Sequence, residues 1–215
     1  MTDQTIGGHQ PINAKLIRQV AYFGWADTQR EDPLYEEAVE CAKFLTQKGY
    51  VAINGGGPGT MRAVTEGAKE AGGTAIGVTF YPKDITNFEG RDMENKFDQE
   101  IVTENYLERT LKLLELGDIY VVFNGGTGTV SEFGMTWAMA KLYFGRHKPL
   151  ILYGKFWHNI VNAFRDNMHV GDIAFKVFRI VETPDEAYEA ILYFEEMLAK
   201  NENRVFNPPE KPFQL

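Results

Sequence analysis

Asn124–Glu132 reads NGGTGTVSE, and seventy residues upstream Asn54–Met61 reads NGGGPGTM. Each stretch follows an apolar run with strand character, YVAIN over 50–54 and DIYVVF over 118–123, and each opens a helical pattern. Strand, glycine turn and helix in that order is where open α/β sheets bind ligands, outside the carboxyl ends of the strands. Glycine lets the backbone turn with φ > 0 and lets a ligand approach main-chain N–H groups. The first helical turn adds unpaired donors and the positive end of the helix dipole, which together favour phosphate. Two such turns on neighbouring strands would line one crevice. Gly125, Gly126, Thr127, Gly128 and Thr129 would form one side, with Gly56, Gly57, Gly59 and Thr60 opposite. Thr60 and Thr129 can act as N-caps or turn their hydroxyls to a ligand oxygen. The competing reading is that the chain simply has to turn tightly twice.

The same alternation runs along the chain. Strands are expected at 19–24, 50–54, 74–79, 118–123, 149–153 and 178–181, and helices at 34–48, 60–71, 106–116, 129–144, 156–166 and 184–200. Runs such as VAI, YVVF and LILY are apolar without alternation, which suits central strands covered on both faces. Strands separated by helices imply right-handed crossovers, hence a single doubly wound α/β domain with a mainly parallel sheet flanked by helices. Residues 80–99, FYPKDITNFEGRDMENKFDQ, are too polar and long for a plain connection and read as a ligand-covering loop. The tail NPPEKPFQL reads as extended.

Bulk properties bound the function. With 215 residues, 44% hydrophobic and 24% charged, the chain has the composition of a globular protein with one sizeable core. The formal charge of −8 argues against a nucleic-acid surface, which needs Lys and Arg to neutralise phosphates, but leaves room for a small anion held by local donors. No apolar run reaches the roughly 18 residues that cross a bilayer, and the N-terminus has no apolar signal core, so no membrane partner is expected. Cys41 stands alone, which excludes an intramolecular disulfide and fits a cytoplasmic setting. His9, His147, His158 and His169 lack ligand spacing, so no metal site is expected.

The usual nucleotide fingerprints fail. A G-x-G-x-x-G starting at Gly55 would need glycine where Thr60 stands, and one starting at Gly126 would need it at Ser131. Neither turn carries the G-K-[ST] of a P-loop, and there is no nucleophile elbow and no H-E-x-x-H.

Two charged residues remain. Thr129-Val130-Ser131-Glu132 has the form of a capping box, in which Glu132 would bond back to the Thr129 N–H. Thr60-Met61-Arg62-Ala63 has no such carboxylate, so the turn itself does not require one. Arg109 sits in the first turn of an expected helix, where a cation opposes the dipole, and its neighbours three and four residues away are not acidic. It therefore points at an anion or at a distant carboxylate.

Arg109 followed after 23 residues by Glu132 in GGTGTVSE resembles the LONELY GUY (LOG) family, once labelled "possible lysine decarboxylase". That family has a Rossmann-like sheet and the signature P-G-G-x-G-T-x-x-E after a helix bearing an Arg-Lys pair. Gly125, Gly126, Gly128, Thr129 and Glu132 match, and the likeness extends upstream through PLYEEAVECAKFLTQKGYVAINGGGPGTMRAVTEGA and AIGV. Asn124 replaces the motif's proline, Thr110 the lysine and Ser131 an often acidic residue, while Gly24-Trp25-Ala26-Asp27 replaces a serine-rich turn.

The resemblance implies a Rossmann-like LOG-type domain over 15–200, between an N-terminal extension (1–14) and a C-terminal tail (201–215). It implies hydrolysis of the N-glycosidic bond of AMP or a cytokinin-type nucleotide, with Arg109 and Glu132 catalytic and the glycine turn holding phosphate. No cofactor is implied, and decarboxylation is not, since it needs pyridoxal phosphate on a lysine. Relatives on the same fold that carry nucleotide-like cofactors, molybdenum cofactor among them, suggest the alternative of a non-hydrolytic binder. LOG relatives also imply a homodimer through the apolar helix FGMTWAMAKLYF, which on its own pattern is either core or interface.

Overall fold

The computed structural model describes residues 15–82 and 90–202, with side chains to residue 200. Seven strands form one all-parallel sheet: β1 (Gln19–Phe23), β2 (Val51–Asn54), β3 (Ala75–Phe80), β4 (Gln99–Thr103), β5 (Ile119–Val122), β6 (Leu150–Tyr153) and β7 (Phe178–Val181). Among the described residues five α-helices link them, α1 (Pro33–Gln47), α2 (Thr60–Glu70), α3 (Tyr106–Leu116), α4 (Thr127–Leu142) and α5 (Trp157–Asn167), and a sixth, α6 (Pro184–Glu202), follows β7. The strand order β4-β3-β2-β1-β5-β6-β7 starts at the centre, winds outward to β4, then returns across the sheet to β5. Crossovers leave in opposite directions from the β1–β5 seam, which opens a crevice at the carboxyl ends of those two strands.

The central strands are uniformly apolar because both faces are covered. One core packs α1, α2 and α6 against Val20, Tyr22, Ala52, Val121 and Ile151; the other packs α3, α4 and α5 against Ala21, Phe23, Ile53, Val122 and Leu150. Successive residues of one strand thus serve opposite layers, as a period of two requires. Among the described residues no helix is long and apolar enough to cross a membrane.

All six expected strands and six expected helices are present, and two details differ. Residues 99–103 form an edge strand, β4, paired in parallel with β3 through Ile76↔Gln99 to Phe80↔Thr103. The sequence QEIVT conceals it, because only one edge of the strand is paired and most of its side chains face solvent. Helix α4 begins at Thr127, two residues early, with Gly126 at its N-cap. The expected loop over 80–99 is thus interrupted by β3 and β4 at its ends; its residues 83–89, the extension and most of the tail lie outside the described residues.

Candidate functional site

Register places the two glycine turns. Ala21 pairs with Ile53, and Phe23 with Val122, so the chain leaves β1, β2 and β5 at neighbouring points. Between these exits lies a cavity of about 140 Å³. Its lining includes Gly24, Trp25, Gly55, Met61, Phe80, Arg91, Tyr106, Arg109, Gly126, Thr127, Gly128, Thr129 and Glu132.

Arg109 and Glu132, 23 residues apart in the chain, meet here. Asn105 caps α3 by accepting from the Glu108 N–H (3.0 Å), which fixes the first turn that carries Arg109. The guanidinium runs back under the sheet ends. Its Nε donates to the carbonyls of Gly55 (3.2 Å) and Val78 (3.1 Å), and its Nη2 to Gly55 (3.0 Å). These carbonyls answer the unfavourable dipole, because a buried cation must be both paired and hydrogen-bonded. Nη1 faces Glu132 Oε1 at 3.8 Å, with both side chains under a tenth exposed. Arg109 thus takes its partners from distant backbone and a distant carboxylate.

Glu132 does not close a capping box. Thr129 is the third residue of α4, no side chain caps that helix, and the carboxylate lies one turn further in, toward Arg109. Burial pushes its carboxyl up to about 7, while Arg109 pulls the other way. Near neutrality the group therefore exists as acid and as base in comparable amounts, which suits proton transfer. The uncapped start of α4 has no acidic side chain in its first turn, so the N–H groups of Thr127, Gly128 and Thr129 present a positive end to the cavity.

The two glycine motifs do different work. In the second, Asn124 is exposed and contributes its carbonyl, which accepts from the Trp25 N–H at 3.0 Å. A Cβ on Gly125 would come within 2.1 Å of Thr129 Oγ1, so glycine there makes room for that side chain. In the first, Asn54 is buried and its Oδ1 accepts from the Gly56 N–H (2.8 Å), a side-chain turn that folds the motif on itself. Gly56 and Gly59 take φ of +69° and +59°, open to glycine at little cost. Their backbone is already engaged: Gly56 O accepts from Asp92 N, Gly57 O from Asn95 Nδ2 at 2.9 Å, and Thr60 N donates to Trp25 O.

Gly125 lies against Thr129 but does not itself line the cavity, and neither do Gly56, Gly57, Gly59 and Thr60; Gly55 and Met61 do. Gly55 escaped sequence reasoning, although its position in the motif was in view. A Cβ there would overlap Arg109 Nη2 at 1.5 Å, so only glycine admits the arginine. Thr110, where the resembled family has lysine, is fully buried and bonds the Tyr106 carbonyl (3.0 Å). A second cation, Arg91, reaches the lining from the segment before β4, fixed by Glu100 (3.2 Å) and the Asn95 carbonyl (3.2 Å).

Residues 17–170 match the model of the SLOG cluster4 family. A Mycobacterium tuberculosis protein named cytokinin riboside 5′-monophosphate phosphoribohydrolase is 29% identical over 164 residues, covering 73% of this chain and 84% of the relative. The rice (Oryza sativa subsp. japonica) protein of that name, LOG, is 24% identical over 195 residues, covering 86% of this chain and 76% of its own. Among solved structures, the molybdenum cofactor binding protein of Rippkaea orientalis shares the fold with a TM-score of 0.60 at 21% identity, over 83% of this chain and 97% of that one. The molybdenum cofactor carrier protein of Chlamydomonas reinhardtii does so with a TM-score of 0.53 at 22% identity, over 85% and 99%. With the matched span covering well over half of its length, this chain belongs to the SLOG cluster4 family.

Proposed function

We propose that this protein is a LOG-like phosphoribohydrolase that cleaves the N-glycosidic bond of AMP or a cytokinin-type nucleotide to free base and ribose 5-phosphate. The observation that carries the reading is the buried Arg109–Glu132 pair beside the uncapped N-terminus of α4. The N–H groups from Thr127 to Thr129 would hold the 5′-phosphate, and that remote binding energy would position the sugar. Ionised Glu132 would stabilise the oxocarbenium-like ribose and take a proton from the attacking water. Arg109, held by two carbonyls, would keep a fixed positive charge against the phosphate or the departing base. Gly56, Gly57, Gly59 and Thr60 would support the opposite wall from behind.

A non-hydrolytic binder of a nucleotide-like cofactor is the second reading. It is favoured by Thr110, which leaves no lysine beside Arg109, and by the likeness in fold to molybdenum cofactor binding proteins. Chromatography for free base after incubation with each nucleoside monophosphate separates the two. Release from AMP that disappears in Glu132→Gln supports the hydrolase. No release, with AMP still raising the melting temperature, supports the binder.

A homodimer belongs to the same proposal, formed by the faces of α3 and α4 that expose Leu107, Leu111, Val130 and Leu142. We also place the protein in the cytoplasm, which fits the free, buried thiol of Cys41.

A further inference from the structure

We infer that Trp25 is the stacking platform for the planar base of the ligand, and that it makes the site selective for purines over pyrimidines. This deepens the nucleotide reading and rests on it. Trp25 contributes to the cavity lining and is 43% exposed, in a crevice whose other aromatic residues are buried (Tyr22, Phe23 and Phe80) or half-buried (Tyr106). Such exposure of the largest apolar side chain leaves a cost in water that a flat partner removes. Among the described residues its indole meets no stacked ring, whereas Trp137 and Trp157 are packed in an aromatic cluster with Phe133.

The backbone beneath Trp25 is fastened on both sides. Its N–H donates to the Asn124 carbonyl at 3.0 Å, and its carbonyl accepts from the Thr60 N–H at 2.9 Å. Each glycine motif therefore grips the same residue. Gly59 permits the approach, since a Cβ there would lie 2.5 Å from the Trp25 carbonyl oxygen and 2.3 Å from that of Ala26. Gly24 permits it from the other side, where a Cβ would strike the Thr60 side chain at 2.5 Å. This explains why the first motif is rich in glycine although only Gly55 and Met61 of it line the cavity: it also seats the segment that carries Trp25. A ring on a fixed backbone loses little freedom when a base stacks on it, and the larger purine surface gains more from the contact.

The test uses intrinsic fluorescence, because Trp25 is the exposed one of three tryptophans. The Glu132→Gln protein, which keeps nucleotides intact, is titrated with AMP, CMP and ribose 5-phosphate. Quenching is expected with AMP, less with CMP and none with ribose 5-phosphate. Trp25→Ala should weaken AMP about 5- to 100-fold and leave ribose 5-phosphate unchanged, while Trp25→Phe should restore most of the affinity without the quench. A Trp25→Ala protein that binds AMP as tightly as its parent overturns the inference, as does the absence of any AMP-dependent quench. Base release by the wild type with an unchanged KM in Trp25→Ala would overturn the platform and leave the hydrolase standing. Quenching by AMP without base release would keep the platform and sink the hydrolase.

Discussion

Glu132→Gln should make the protein less sensitive to alkaline pH, and the size of the effect can be worked out. Burial raises the folded-state pKa of Glu132 from an ordinary 4.5 to about 7, net of the Arg109 attraction. A raised pKa means that the folded state binds the proton more tightly than the unfolded state. The associated stability is fully present below about 4.5 and is lost as the pH rises through about 7. Linkage puts that loss at roughly 1 kcal/mol by pH 5 and roughly 3 kcal/mol by pH 8, so the span between them is about 2 kcal/mol. Glutamine keeps the shape of the protonated acid and does not titrate. Whatever constant cost it carries at Arg109 is the same at both pH values, because the arginine stays charged and stays bonded to Gly55 and Val78. The difference in stability between mutant and wild type should therefore move by about 2 kcal/mol in the mutant's favour from pH 5 to pH 8. In thermal unfolding this is roughly 4 to 8 °C of differential shift for a chain of this size. Urea melts at pH 5, 6, 7 and 8 on both proteins measure it directly. Parallel stability curves, moving by less than about 0.5 kcal/mol, would show that Glu132 titrates alike in the folded and unfolded chain, and the argument from burial would fail.

Arg109→Ala should lower the rate of base release roughly 100-fold or more, and Gly55→Ala should approach the same loss by displacing the guanidinium it would overlap; steady-state kinetics on both check this, and a change below about threefold in either counts against the site. Gly59→Ala combines φ of +59° with a Cβ 2.3 Å from the Ala26 carbonyl and should cost at least about 2 kcal/mol in urea melts. Replacing exposed Leu107 and Leu142 with glutamate should give a monomer by light scattering with little change in melting temperature, and an unchanged mass would move the interface elsewhere.

The order of elements was legible in the sequence because it depends on local chemistry. Short unbroken apolar runs such as IYVV, bounded by turn residues, suit strands covered on both faces, and glycine turns between strand and helix mark the ligand end of the sheet. Arg109 was conspicuous for the same local reason, a cation in a first turn with no acidic residue three or four positions away. Tertiary structure decided what those residues touch. The β1–β5 seam carries Arg109 and Glu132 into one cavity and lets Gly55, 54 residues from Arg109, supply the arginine's acceptor. Two glycine motifs of similar spelling diverge because Asn54 is buried and bonds its own turn, whereas Asn124 is exposed and lends its carbonyl to Trp25. Edge strand β4 stayed hidden because an edge needs no apolar pattern to pair. The pKa of Glu132 is likewise set by desolvation and a charge from another helix, quantities that arise only when segments distant in the chain exclude water together.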